Sequence, residues 1–265
     1  MADTATPIGS MKDRQQLSSM GFLEHLEELR KRIIWSIVFI AGGFSVCYWW
    51  HEKIFSWMQS PIIFALTRHN QPTNLVYTNP TDPFNMYLKI SLIVGIFVSS
   101  PFVLYQVWAF IAPGLYKEER RYVAPFMFST VGLFVAGGFF AYKMVYPAAL
   151  DFLIDYSKQF TPMITINEYT DLFMTIVLGL GVVFEMPILV FFLALFGIVS
   201  PGWMWHNLRY SILVIFVIAA IITPTTDIMN MCIFAAPMIV LYLVSIGVAF
   251  LVHPKQRKKR ELNSR

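Results

Sequence analysis

Three carboxylates stand where their surroundings give them chemistry to do. Glu28 lies in His25-Leu26-Glu27-Glu28-Leu29-Arg30-Lys31-Arg32, a charged stretch directly before the first long apolar run. At helical spacing it pairs with Arg32, four residues on, a contact worth about 0.3–0.5 kcal/mol at an exposed site. The same carboxylate is also free to serve a cationic ligand. Glu119, in Lys117-Glu118-Glu119-Arg120-Arg121, has a similar choice between favouring the N-terminus of the next helix and holding a ligand. Both acids are predicted at one face of a membrane and at one interfacial depth, so together they suit a doubly basic ligand. Glu185 differs in kind, because it sits deep in an apolar run just before Pro187, where a charge costs several kcal/mol. It reads either as a hydrogen-bonded structural acid or as a functional one. Phe110, in Val107-Trp108-Ala109-Phe110-Ile111-Ala112-Pro113, has the pattern of an interfacial aromatic, and Asp227, just after the Thr223-Pro224 break, that of a turn or cap residue.

Other chemistries lack their residues. The five histidines, at 25, 51, 69, 206 and 253, form no His-Glu-x-x-His pair, and neither a Gly-x-Ser-x-Gly elbow nor a glycine loop ending in Gly-Lys-Ser or Gly-Lys-Thr is present. An enzyme or a nucleotide-driven motor is therefore not indicated, and no cofactor or metal is implied. Cys47 and Cys232 lie in or beside apolar runs and read as buried small hydrophobes, not as a disulfide or metal pair.

The elements that must position these acids are membrane helices. The chain is 57% hydrophobic and 14% charged, with a mean hydropathy of +0.59, too apolar for a soluble domain of 265 residues. Residues 1–19 carry Asp3, Lys12, Asp13 and Arg14 without an apolar core, so no secretory signal is expected there and the mature chain is expected to begin near Met1. Phe22, Leu26, Leu29 and Ile33 fall on one helical stripe, with Ser18 or Ser19 as a cap, which predicts a surface helix that then enters the bilayer. Crossing ~30 Å of hydrocarbon takes about 20 helical residues.

Six apolar runs follow: 33–50, 84–111, 123–146, 172–199, 210–222 and 228–252. Residues 51–83 read as a long polar loop, the third run as ending at Pro147, and 151–171 as an acidic loop. The fifth run is short and the sixth is expected to be interrupted by Pro237. The expected fold is thus an all-α, single polytopic membrane domain over residues 1–265, with structured extracytoplasmic loops, a flexible N-terminus (1–20) and a basic tail (253–265). Most of the 20 lysines and arginines gather before the first run, in Lys117-Glu118-Glu119-Arg120-Arg121, at Arg209 and in the tail, which by the positive-inside rule places both termini in the cytoplasm. The net charge of +4 is explained by this topology and does not call for nucleic acid as a partner.

In order along the chain, His25 to Arg32, Leu104 to Arg121 (LYQVWAFIAPGLYKEERR), the Phe184-Glu185-Met186-Pro187 step and the Thr223-Pro224 break before Asp227 resemble the TatC family, the signal-receptor subunit of the twin-arginine protein translocase. The likeness covers nearly the whole chain. It implies six spans and cytoplasmic termini in a bacterial inner membrane, and binding of the paired arginines of signal peptides on cargo exported already folded. Glu28 and Glu119 are the acids it assigns to those arginines. Phe110 lies near the signal's apolar positions, and Arg30 and Arg32 shape the same patch. Glu185 becomes a polar site facing the membrane interior, while Pro224, Asp227 and the last two spans are associated with small single-span TatA- and TatB-type partners. The drive implied is the proton-motive force, and self-association is compatible with it. A second reading from the residues alone is a proton-coupled small-solute transporter titrating at Glu185.

Overall fold

In the computed structural model the described residues are 11–111, 123–157, 160–195, 197–223 and 228–252. Among them every regular element is helical. α1 (Met11–Trp49) leads into two short helices, α2 (His51–Met58) and α3 (Ser60–Arg68), and then into α4 (Asp82–Ile111). α5 (Val123–Phe140) passes through a wide π turn (Ala141–Val145) into α6 (Tyr146–Tyr156). After α7 (Ile166–Val183) and α8 (Met186–Leu195) come α9 (Pro201–His206), α10 (Leu208–Ile222) and α11 (Ile228–Val252). By length and composition five stretches are able to cross a membrane: Glu24–Trp49, Asp82–Ile111, Phe126–Tyr156, Ile166–Leu195 and Met231–Leu251. The apolar part of α10, Leu208–Ile221, is shorter than these, as the short fifth run predicted.

Several boundaries differ from the sequence expectation. α1 reaches back to Met11, so Ser18 and Ser19 lie inside the helix instead of capping it. Residues 51–83 are not a plain polar loop. Met58, Ile62, Ala65 and Leu66 are buried, because α2 and α3 each carry an apolar face that the pattern of prolines obscured. The hydroxyls of Tyr142 and Tyr169 donate to the backbone carbonyls of Trp57 (2.9 Å) and Met58 (2.6 Å), pinning the junction of α2 and α3 to the third and fourth apolar stretches. Val76 pairs with residues 164–166 through Val76 N–H to the Ile164 carbonyl (3.0 Å) and Ile166 N–H to the Val76 carbonyl (2.9 Å), so this loop and the one after α6 are tied together. Asp82 fixes the entry to α4, accepting from the Thr78 and Asn79 backbones and from Asn167 Nδ2.

Pro147 does not end the third stretch. Its missing N–H falls just after the π turn, which takes up the lost bond, and the helix continues to Tyr156. Nor is the last helix interrupted: α11 is continuous with Pro237 inside it. The break instead lies in the fourth stretch, at Phe184-Glu185 before Pro187. Both cysteines are free, but only Cys47 is buried; Cys232 is exposed on α11.

The core is aromatic. Tyr146, Tyr169 and Phe173 are fully buried between α6 and α7, joined by Tyr142 from the π turn. Gly137 and Gly138 of α5 leave room for two rings, since a Cβ on Gly137 would lie 2.7 Å from the Phe184 side chain and one on Gly138 would collide with Phe97. A second cluster, Trp108 with Ile188 and Phe192, joins the end of α4 to α5 and α8, and Trp108 Nε1 donates to Thr130 Oγ1 at 3.1 Å. It thereby fixes both flanks of the connection that carries Glu119.

Candidate functional site: a carboxylate between two helix-bridging contacts

α1 packs chiefly on α4, antiparallel to it, and most of its surface is otherwise open. Glycine makes this crossing close. A Cβ built on Gly43 would lie 2.6 Å from the Gly95 carbonyl oxygen, and one on Gly95 would lie 2.7 Å from the Phe44 nitrogen. Ser99, buried one turn beyond Gly95, continues the small-residue stripe, the arrangement that lets helix backbones approach in a membrane.

From that crossing the two helices run together toward the N-terminal end of α1. Phe39 stacks on Phe102, with centroids 5.1 Å apart. Beyond it, Arg32 Nη1 donates to Gln106 Oε1 at 3.0 Å; as many residues separate Arg32 from Gly43 as separate Gly95 from Gln106, so the register set at the glycines is kept. One rung further, the His25 and Phe110 rings stack with centroids 4.5 Å apart and an interplanar angle of 18°. His25, Glu28 and Arg32 are spaced i, i+3, i+7 and share one face of α1, while Gln106 and Phe110 share one face of α4.

Glu28 lies between these two bridges. Its Oε1 accepts from Arg32 Nη2 at 3.2 Å, and both side chains keep about a third of their surface open, 32% for Glu28 and 30% for Arg32. The predicted i,i+4 pair is therefore formed, but Arg32 is also held by a second partner on another helix. Its Nε is buried without a hydrogen bond among the described residues. Arg30 is exposed on the other side of the helix. Neither Gln106, 7% exposed, nor the pairing of His25 with Phe110 is evident from residue types. A glutamine and an arginine an equal distance from small residues on antiparallel helices was the available signal.

Glu185 lies at the α7–α8 break. Its backbone N–H donates to the Val182 carbonyl and its own carbonyl accepts from Ile188 and Leu189, which joins the two helices across the bend. The side chain is half-buried, and Oε1 is buried with no hydrogen-bond partner among the described residues. Such a group is expensive in an apolar setting and marks a place where a polar partner would be stabilising. Glu185 sits at the α7–α8 break, whereas the Glu28 cluster is built from α1 and α4. Glu119, Pro224 and Asp227 lie outside the described residues.

Comparison with known proteins decides the family. The profile described as Sec-independent protein translocase protein (TatC) matches residues 24–237, a span that takes in Glu28, Phe110, Glu119 and Glu185. The chain belongs to the TatC family. It is 74% identical over 253 residues to the Sec-independent protein translocase protein TatC of Koribacter versatilis (strain Ellin345), covering 96% of this chain and 93% of that one. The TatC of Carboxydothermus hydrogenoformans is 36% identical over 238 residues, with 89% and 96% covered. A crystal structure of the twin arginine translocase receptor TatC superposes with a TM-score of 0.76 at 35% identity, covering 86% of this chain and 99% of that one. As a TatC-family member the protein is a component of the twin-arginine translocase: a multi-span helical membrane protein concerned with protein transport, not an enzyme.

Proposed function

We propose that this protein is the signal receptor of a twin-arginine translocase in a bacterial inner membrane. It crosses six times with both termini in the cytoplasm and binds the paired arginines of signal peptides through Glu28 and Glu119. Arg30, Arg32 and Phe110 shape the surrounding patch. The observation that carries the reading is that Glu28 already accepts from a guanidinium while remaining one-third open. An incoming arginine therefore replaces a ligand of its own kind, and the pair it displaces is worth only about 0.3–0.5 kcal/mol. Arg32 is not stranded by the exchange, because Gln106 still holds it. The sixth crossing is assigned to α10, which at 15 residues spans roughly 22 Å and requires local thinning or shelter by neighbours.

Crosslinking tests the site directly. A photoreactive signal peptide carrying Arg-Arg is expected to label residues around Glu28 and Glu119 more strongly than its Lys-Lys counterpart, because lysine cannot bond a carboxylate bidentately. Equal labelling would reduce the site to a merely anionic surface.

The orphaned Glu185 oxygen supports a second element of the proposal, an intramembrane polar site used when small single-span TatA- and TatB-type partners assemble for export driven by the proton-motive force. Glu185→Gln keeps the hydrogen-bonding shape and removes the charge. It is expected to leave folding and signal binding intact while lowering export of a folded reporter. Full export by that variant would make the acid structural, whereas solute uptake by this protein alone in liposomes would favour a transporter.

A further inference from the structure

The arrangement around Glu28 assigns a role to a residue that the proposed binding patch does not by itself require. We infer that His25 is a positioning residue for the Phe110 ring, and through it sets how strongly the patch prefers an apolar side chain beside the arginines of its ligand. This inference rests on the signal-receptor reading above. Phe110 is half-buried near the end of α4. Its ring lies parallel to the His25 imidazole at 4.5 Å, a stacked geometry in which the partner covers one face and restrains the tilt.

His25 is well placed to do this for the benefit of Glu28. The two residues stand one helical turn apart on the same face of α1, so the aromatic platform and the carboxylate are separated by about 5 Å along the helix. That is within the reach of two neighbouring side chains of one bound peptide. The two bridges also divide the labour across the helix pair. The Arg32–Gln106 bond fixes α1 against α4 on one side of Glu28, and the His25–Phe110 stack presents an apolar surface on the other. Without the imidazole, Phe110 keeps its apolar area but loses the wall that holds its orientation. An apolar ligand side chain then pays the ordering entropy of the ring as well as its own.

The test uses the full-length protein in detergent micelles and three synthetic signal peptides: Arg-Arg followed by an apolar residue, the same peptide with that residue changed to alanine, and a Lys-Lys version of the first. Wild-type protein is expected to favour the apolar peptide over its alanine form by about 3- to 10-fold, the range for an oriented aromatic contact. In His25→Ala that ratio should fall close to one, while the preference for Arg-Arg over Lys-Lys, which Glu28 reads, remains. His25→Tyr, which restores a ring, should recover the apolar preference. Retention of the full apolar preference by His25→Ala, or failure of His25→Tyr to restore it in a protein that melts like wild type, overturns the inference. Loss of the Arg-Arg preference in the wild-type protein itself instead overturns the site reading on which it rests.

Discussion

Replacing Glu28 by alanine is expected to weaken binding of an Arg-Arg signal peptide by roughly tenfold to a hundredfold, the range for losing a hydrogen bond to a charged group. The loss should be specific, leaving the melting temperature of the protein nearly unchanged, because the resting Glu28–Arg32 pair is partly open and contributes little to stability. Arg32→Ala sharpens the argument. If the substrate arginine takes the place of Arg32 on the Glu28 carboxylate, removing Arg32 frees the acceptor while the Gly43–Gly95 crossing and the His25–Phe110 stack keep the helix register, and binding should hold or tighten. Weaker binding by Arg32→Ala would show that Arg32 contributes to the ligand site in its own right and would count against exchange. The pair of variants, measured by titration of one labelled peptide, separates the two roles. Wild-type affinity in both Glu28→Ala and Glu119→Ala would remove the carboxylates from the site altogether.

Much of this site could be read from residue types alone, and what could not has definite causes. The carboxylates were legible because charged residues are rare in this chain and gather mostly at membrane borders, so Glu28 stood out beside the first apolar run and Glu185 by lying inside the fourth. The Glu28–Arg32 pair followed from helical spacing, a local property. Gln106 and the His25–Phe110 stack were not legible in the same way, since each depends on the register between two helices that are distant in sequence. That register is set where Gly43 meets Gly95, and glycine in an apolar run gives little sign of which neighbour it approaches. The helices in residues 51–68 were hidden for a different reason. Their apolar faces are short and lie among polar residues and Pro61, so burial against Tyr142 and Tyr169 fixes them more than periodicity does. Proline misled at two positions: Pro147 is absorbed by a π turn and Pro237 by a continuous helix, whereas a break comes at Glu185, ahead of Pro187.

The adjacent glycines of α1 should respond in opposite ways to the same substitution. A Cβ on Gly42 would meet nothing within 4 Å, so Gly42→Ala should be neutral or stabilise the helix by up to about 1 kcal/mol through propensity. A Cβ on Gly43 would lie 2.6 Å from the Gly95 carbonyl oxygen, and that oxygen belongs to a helix backbone that cannot turn aside. Gly43→Ala must therefore push α1 away from α4, at a cost of roughly 3 kcal/mol. Gly95→Ala meets the Phe44 nitrogen at 2.7 Å and should cost a similar amount. Because α1 leans on little besides α4, little else restrains the displacement and it carries through to the far end of the pair. There the 3.0 Å bond from Arg32 to Gln106 and the His25–Phe110 stack both depend on the same register. Gly43→Ala should accordingly lower the thermal midpoint and also weaken signal binding with Glu28 intact, whereas Gly42→Ala does neither. A Gly43→Ala protein that melts and binds like wild type would show that the helix crossing does not set the geometry of the site.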